Sequence, residues 1–146
     1  MDIRTTTVTL ATRGFNDIRD LTPHLVQRVR EERLREGSVL VFVGGATAGV
    51  TTIEFESGVV TDLKQAIERL APHDIAYAHD ARWGDGNGFA HVRAALIHAD
   101  LEIPVAGGKL LLGTWQQVVL CDFDNRPRER QVICQLRGRF DGTEQE

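Results

Sequence analysis

Residues 77–91, YAHDARWGDGNGFAH, concentrate the side chains of this chain that could do chemistry. Two histidines, two aspartates and one amide fall within fifteen residues: His79, Asp80, Asp85, Asn87 and His91. Neutral imidazole and carboxylate are good ligands for a divalent metal, and histidine is also the usual proton carrier near neutral pH. The stretch therefore predicts a site for metal binding or proton transfer.

A polar surface connector is the alternative interpretation of the same stretch. Three glycines separate the polar residues (Gly84, Gly86 and Gly88), as they would in an exposed loop. His79 and His91 are twelve positions apart, whereas the helical HExxH motif places its two histidines on one face, one turn apart. Any metal that both histidines bind must therefore be assembled by the tertiary fold.

Two further groups of polar residues lie outside this stretch. In VTTIEFE, alternation places Glu54 on a polar strand face, which contacts water, lines a cleft or forms a subunit contact. In NRPRER, the closely spaced Arg126, Arg128 and Arg130 could bind a phosphate or carboxylate through paired N–H groups. A basic hairpin tip in water would give the same arginine pattern.

Length, composition and charge exclude several classes of protein. The 146 residues, 42% hydrophobic and 26% charged, predict one globular domain over residues 1–146, with a frayed tail at 139–146. A formal net charge of −4 argues against generic nucleic-acid binding. The lack of a long apolar run or a signal-like N-terminus predicts a cytoplasmic protein with no membrane partner. Cys121 and Cys134, each in an apolar run, are expected to be buried reduced thiols.

The periodicity of apolar residues predicts which elements position these side chains. Gly14–Leu21 reads as a turn, GGATAG (44–49) as a tight hairpin turn, and Gly113 as a bulge inside a long strand. The predicted helices cover residues 22–36, closed by Gly37, then 59–70 and a short 89–97. The predicted strands cover residues 3–12, 38–43, 50–56, 101–105, 109–124 and 131–136. This pattern is mostly antiparallel strand with two main helices.

Several runs together resemble one family, the small YjbQ-like proteins, which are associated with a secondary thiamine-phosphate synthase activity and are otherwise uncharacterised. The matching runs are ATAGVTTIEFESGVVTDL, ERLAP, YAHDARWGDGNGFAHVRAAL and GGKLLLGTWQQVVLCDFDNRPRERQV, in order over about residues 40–138. The GTWQQ and FDNRPR runs are the most specific. The resemblance implies an α+β fold, a mostly antiparallel β-sandwich with helices packed on it. It also implies a homotrimer with the polar cluster near a subunit boundary.

The resemblance also implies which residues form the site. The family's motif residues carry over at seven positions: His79, Asp80, Asn87, His91, Gln116, Arg126 and Arg128. Many members have His-Thr where this chain has Gly45-Ala46, and some have histidine at the position of Phe89. A metal that used such an extra imidazole would here need a carboxylate, Glu54 or Asp80, in its place.

Three functions follow as hypotheses. The first is an enzyme acting on a phosphorylated small molecule, such as a thiamine-phosphate-synthase-like transferase. In it, His79, Asp80 and His91 would be catalytic, and Asn87, Gln116, Arg126 and Arg128 would bind substrate. A divalent metal, zinc or magnesium, would be held by His79, His91 and Glu54. The second is a non-catalytic trimeric module that binds an anionic metabolite or metal. The third is a structural trimer whose polar residues satisfy one another at the interface.

Overall fold

The computed structural model describes residues 1–142 of the chain, which form eight strands and four helices. The helices are α1 (Thr22–Glu32), α2 (Ser57–Leu70), α3 (Ala78–Trp83) and α4 (Gly88–Ile97). The strands are β1 (Asp2–Thr12), β2 (Asp17–Asp20), β3 (Leu34–Val43), β4 (Ala48–Ile53), β5 (Asp100–Ala106), β6 (Lys109–Leu110), β7 (Gln117–Asp122) and β8 (Arg128–Phe140).

The strands form two antiparallel sheets that pack face to face. The larger sheet has the order β1-β8-β3-β5-β6 and the smaller one the order β2-β7-β4. Residues from both sheets, such as Val41, Val50 and Leu136, are fully or almost fully buried in one apolar core. Leu25 and Val29 of α1 close this core. The predicted α+β sandwich is therefore the fold that the chain adopts.

A second apolar core lies on the outer face of the smaller sheet. There Val119 and Cys121 of β7 pack with Ile67 of α2 and with Phe89 and Ala90 of α4. Strand β7 is thus buried on both faces, which explains its continuous apolar sequence VVLC. This packing fixes α4, and with it the polar stretch before it, against the smaller sheet.

The ends of two helices differ from the sequence prediction. Helix α1 ends at Arg33, which has a left-handed conformation (φ 58°), and the strand β3 starts at the next residue. Gly37, predicted to close α1, lies inside β3 instead. Glu56, predicted as strand, is the N-cap of α2, where its carboxylate accepts hydrogen bonds from the backbone N–H groups of Gly58 and Val59 at 2.8 and 2.9 Å.

Three predicted connections are also wrong. The alternation of polar and apolar residues shows which face of a strand is buried, but it does not show which sheet the strand joins. The run 44–47 connects the two sheets, since β3 and β4 belong to different ones, and is not a hairpin turn. The predicted strand 109–124 divides into β6 and β7, one in each sheet, joined by residues 111–116. The predicted turn before residue 22 contains β2, which pairs with β7.

The C-terminal tail, the two cysteines and the absence of a membrane span were also predicted from the sequence. Strand β8 continues to Phe140, whose side chain is buried, so the tail predicted to fray from residue 139 starts as ordered strand. Residues 143–146 of that tail lie outside the described part. Cys121 and Cys134 are free and buried as expected, and burial raises their pKa to about 12 and about 11. Within residues 1–142, no helix is long and apolar enough to span a membrane.

Candidate functional site

The polar stretch folds into two short helices joined by a glycine-rich loop. Helix α3 ends at Gly84, whose positive φ of 67° allows the chain to turn sharply. Helix α4 starts at Gly88, and a Cβ at this position would come within 2.5 Å of the Tyr77 side chain. Only glycine therefore lets α4 approach α3 this closely, and this approach brings the two predicted histidines together.

His79 and His91 are in direct contact across the two helices. Their ring centroids are 4.4 Å apart at an angle of 39°. The Nδ1 atom of His79 lies 3.5 Å from Oδ1 of Asp80 and 3.4 Å from Oδ1 of Asp85. This nitrogen is buried and has no hydrogen-bond partner among the described residues. The tertiary fold thus brings together two histidines that are twelve positions apart in the sequence.

Hydrogen bonds hold the loop 84–87 against the β7–β8 connection. The backbone N–H of Asn125 donates to Oδ1 of Asn87 at 3.1 Å, and the Asn125 side chain donates to the carbonyl of Asp85 at 2.8 Å. Oδ1 of Asp80 accepts from the N–H of Gly88 at 2.8 Å. Asn87 is buried. Because its side-chain oxygen joins the loop 84–87 to the β7–β8 connection, it positions the wall of the cleft.

Two arginines, Arg126 of the β7–β8 connection and Arg128 at the start of β8, approach one buried carboxylate without hydrogen-bonding to it. Nε of Arg126 is 4.0 Å from Oδ1 of Asp124, and Nη1 of Arg128 is 3.9 Å from Oδ2. Oδ2 of Asp124 instead accepts a hydrogen bond from the hydroxyl of Thr47 at 3.0 Å. The side chain of Arg126 is 68% exposed. Both guanidinium groups thus keep N–H donors available to a ligand.

The third arginine has a structural role beneath this pair. Arg130 is buried and donates two hydrogen bonds to the carboxylate of Asp122, at 2.7 and 2.8 Å, and a third at 2.7 Å to Oγ1 of Thr47. Burial alone would raise the pKa of Asp122. The hydrogen bonds from Arg130 and Thr12 outweigh burial and lower it. The alternative interpretation of the arginine run as a basic hairpin tip in water is therefore wrong for Arg130.

These segments enclose an open cleft of about 520 Å³. Its walls come from residues 45–47, from 85–91 and from 124–130. Gly45, where many family members have histidine, lines the cleft and leaves space beside His91. Phe89, the other family histidine position, is buried in the outer core and cannot face the cleft. Arginine is the most frequent charged residue in the lining, so an anion is the ligand that the cleft fits best.

Two predicted site residues lie elsewhere in the chain. Ala48 pairs with Asp122 next to the cleft, whereas Ile53 pairs with Gln117 at the opposite end of β4 and β7. At about 3.3 Å per residue, the two ends are about 17 Å apart. Glu54 and Gln116 follow and precede the far end, so the predicted metal site of His79, His91 and Glu54 cannot form within one chain.

Residues that the sequence reasoning missed form the floor of the cleft. Thr47, Asp122 and Asp124 were not singled out, although all three are buried polar residues. A usable signal exists in the run VVLCDFD, where charged residues two positions apart follow a fully apolar strand. A carboxylate at the end of a buried strand must be paired, and the nearby arginines are the available partners.

Comparison with known proteins assigns the chain to a family. The family profile "UPF0047 protein YjbQ-like" matches residues 6–139. A UPF0047 protein of Archaeoglobus fulgidus is 38% identical over 126 residues, which cover 86% of this chain and 95% of that protein. A UPF0047 protein of Methanothermobacter thermautotrophicus is 29% identical over 139 residues, 95% of each chain.

Solved structures agree with this assignment. A hypothetical protein from Aeropyrum pernix K1 superposes with a TM-score of 0.87 at 29% identity, covering 93% of this chain and 99% of that one. A YbjQ-like protein of unknown function from Sulfolobus solfataricus P2 superposes with a TM-score of 0.85 at 26% identity, covering 94% of this chain and 100% of that one. On sequence and structure alike, the chain belongs to the YjbQ-like UPF0047 family and has its α+β fold.

Proposed function

We propose that this protein is an enzyme that binds a phosphorylated small molecule in the cleft and acts at its phosphate or diphosphate group. The observation that carries the proposal is the pair Arg126 and Arg128, which line the cleft opposite His91 without hydrogen bonds to Asp124. Guanidinium groups bind phosphate oxygens through paired N–H donors. A thiamine-phosphate-synthase-like transfer, in which a diphosphate departs, is one reaction of this class.

Each side chain of the cleft has a role in this proposal. Arg126 and Arg128 would hold the phosphate oxygens and stabilise negative charge as the leaving group departs. His91 borders both the cleft and His79, so it would transfer the proton. Asp80 would keep His79 oriented from the side away from His91. Asn87 holds the loop 84–87 in place, which makes it a positioning residue.

A divalent metal would use a different carboxylate from the one expected. The donor atoms of His79, Asp80 and Asp85 all lie within 4.8 Å of one another, and Nδ1 of His79 is buried without a hydrogen-bond partner in the described chain. One imidazole and two carboxylates suit zinc, and the two carboxylates alone supply the oxygen ligands that magnesium prefers. Bound there, the metal would neutralise charge on a diphosphate. Asp85, rather than Glu54, would complete the set.

Isothermal titration with inorganic phosphate and with pyrophosphate tests the proposal. We expect Arg126→Ala and Arg128→Ala each to weaken pyrophosphate binding about tenfold or more, because a hydrogen bond to a charged group contributes about 1.5–3 kcal/mol. Arg139→Ala is the matched control, since Arg139 is exposed on β8 far from the cleft. Equal affinities in all four proteins, including wild type, would remove the anion site.

The same titration with added Mg²⁺ separates the remaining alternatives. We expect Mg²⁺ to tighten pyrophosphate binding in wild type and to tighten it less in Asp85→Asn, because the metal then loses one carboxylate ligand. Release of diphosphate from a phosphorylated substrate, lost in His91→Ala while binding persists, would identify an enzyme. Ligand-induced stabilisation without any turnover across a substrate panel would instead favour the non-catalytic binding module.

Homotrimer formation is a second proposal, supported by exposed apolar side chains. Trp115 is 72% exposed and Leu111 is 55% exposed on the segment that joins β6 to β7. Phe55, next to the far end of β4, is 44% exposed. Large apolar side chains that share one surface are typical of a protein–protein interface. This face also carries Gln116, so a neighbouring subunit would contact that predicted substrate residue.

A further inference from the structure

A second cavity lies away from the cleft, between α1 and the β5–β6 hairpin. This groove has a volume of about 700 Å³ and shares no lining residue with the cleft. Its walls are the C-terminal half of α1, the turn at residues 107–108 and the segment 112–117. Gln116, predicted to bind substrate, therefore belongs to this groove. The function proposed for the cleft does not account for it.

The floor of the groove is aliphatic. Val29 and Leu34 form its deepest part and are almost completely buried, whereas Leu110 and Leu112 are half-buried. Val26, 42% exposed, completes the apolar surface on the α1 side. Within residues 1–142, no aromatic side chain lines the groove. The floor fits an alkyl group.

The rim of the groove is cationic. Arg30, Arg33, Arg35 and Lys109 line it, against a single carboxylate, Asp141. Asp141 lies 3.5 Å from Arg35, so that pair is already neutralised. Within residues 1–142, the other three cations make no ion pair with an aspartate or glutamate. In a chain whose formal net charge is −4, the rim of this groove therefore carries a local excess of positive charge.

The backbone holds two rim residues in fixed positions. Arg33 has a left-handed conformation, which is uncommon outside glycine, and its N–H donates to the carbonyl of Arg30 at 3.2 Å while its own carbonyl accepts from Asp141 at 3.0 Å. Gly108 has a positive φ of 75°, which favours glycine, and it places the hairpin turn beside the guanidinium group of Arg35. The rim is thus preorganised.

We infer that this groove is a second binding site, which takes an amphipathic anion: a carboxylate, sulfate or phosphate group joined to an alkyl chain. The anionic group lies among Arg30, Arg33 and Lys109, where it neutralises cations that have no acidic partner in the described chain. The alkyl chain lies on Leu110, Leu112 and the buried floor. The cationic rim selects a ligand of negative charge, and the aliphatic floor selects a ligand with an alkyl chain.

Three small ligands separate the two parts of this inference. We expect decanoate to bind to isotope-labelled wild-type protein and to shift the amide resonances of Gly107, Gly108 and Lys109. Decyltrimethylammonium has the same alkyl chain and the opposite charge, and acetate has the carboxylate alone. Both should bind at least about tenfold more weakly than decanoate, since each lacks one of the two interactions.

Matched variants place the ligand in the groove. The double substitution Arg33→Ala with Lys109→Ala should weaken decanoate binding about tenfold. The control is Lys64→Ala with Arg69→Ala, which removes two cations from α2 and should leave binding unchanged. Absence of decanoate binding to folded wild type, shifts confined to other residues, or equal binding of the cationic ligand would overturn the inference. Pyrophosphate binding in the cleft is measured separately, so either site can fail without the other.

Discussion

Three arginines face two aspartates at the cleft, and they differ in what each is free to do. Arg130 is fully engaged by Asp122 and Thr47, whereas Arg126 and Arg128 stay about 4 Å from Asp124. A buried ion pair that loses one partner leaves an uncompensated charge, which costs far more than the loss of an exposed pair. At the scale of single residues, Arg130 therefore supports the fold and its two neighbours support binding.

The first prediction at this scale concerns Asp122. We expect Asp122→Asn to reduce the free energy of unfolding by about 3 kcal/mol at neutral pH, because Arg130 keeps its buried charge and loses its counter-ion. The pKa of Asp122 is lowered in the folded protein, so its contribution is complete above its unfolded pKa, about 4, and is lost as the pH falls through the folded pKa.

Urea unfolding at about pH 7, pH 5 and pH 3 measures this contribution. The difference between wild type and Asp122→Asn should be the same at the two higher values and smaller at the lowest. Asp62→Asn is the control, since Asp62 is exposed on α2 and makes no ion pair within the described residues. A gap that stays constant down to the lowest pH would show that Asp122 does not carry this acid sensitivity.

At the scale of elements, one glycine contact allows the paired strands β3 and β8 to approach each other closely. Gly37 and Gly138 are paired in the register of the two strands, with φ values of 148° and 146°. A Cβ on Gly138 would lie 1.9 Å from the carbonyl oxygen of Glu36. The two backbones can approach this closely only because neither residue has a side chain.

Gly138→Ala tests this contact. We expect it to destabilise the protein by about 3 kcal/mol or more, because both the φ angle and the clash with backbone disfavour a Cβ. Gly44→Ala adds the same methyl group where nothing lies within 4 Å, and it should be nearly neutral. Thermal unfolding and soluble yield of the two variants give the comparison. Equal midpoints and yields would refute the role of the glycine pair.

The elements also show how far the sequence could predict this structure. Strand β1 and helix α2 follow from local periodicity, because residues alternate along β1 and because Val60, Leu63 and Ile67 lie at helical spacing on the packed face of α2. The division of residues 109–124 between two sheets leaves no local trace, since an apolar strand looks the same in either sheet. The histidine pair was predictable as residue types, whereas the pairing of Arg130 on β8 with Asp122 on β7 depends on how the two sheets pack against each other.

At the scale of the whole molecule, the exposed face around Trp115 is the strongest sign of assembly. We expect light scattering on a gel-filtration column to give the wild type a mass about three times the 16.2 kDa of one chain. Trp115→Ser should shift this mass toward one chain with an unchanged circular dichroism spectrum. Trp115 is almost fully exposed in the single chain, so the substitution should cost little in the monomer.

The control for assembly is Leu70→Ser, at the end of α2, which removes an equally exposed apolar side chain from another face. It should leave the trimer intact. A wild-type mass of one chain, or equal dissociation of both variants, would refute the proposed interface.

The double burial of β7 has a consequence for how this family can change. Its outer and inner faces belong to two different cores, and its C-terminal residue, Asp122, supports the cleft floor. A substitution on this strand disturbs the inner core at Val118 or Leu120, the outer core at Val119 or Cys121, and the floor at Asp122. The opening of the cleft, in contrast, carries exposed side chains such as that of Arg126, which lies on the short β7–β8 connection. Ligand preference can therefore diverge among relatives through Arg126 and Gly45, while the floor beneath them tolerates almost no variation.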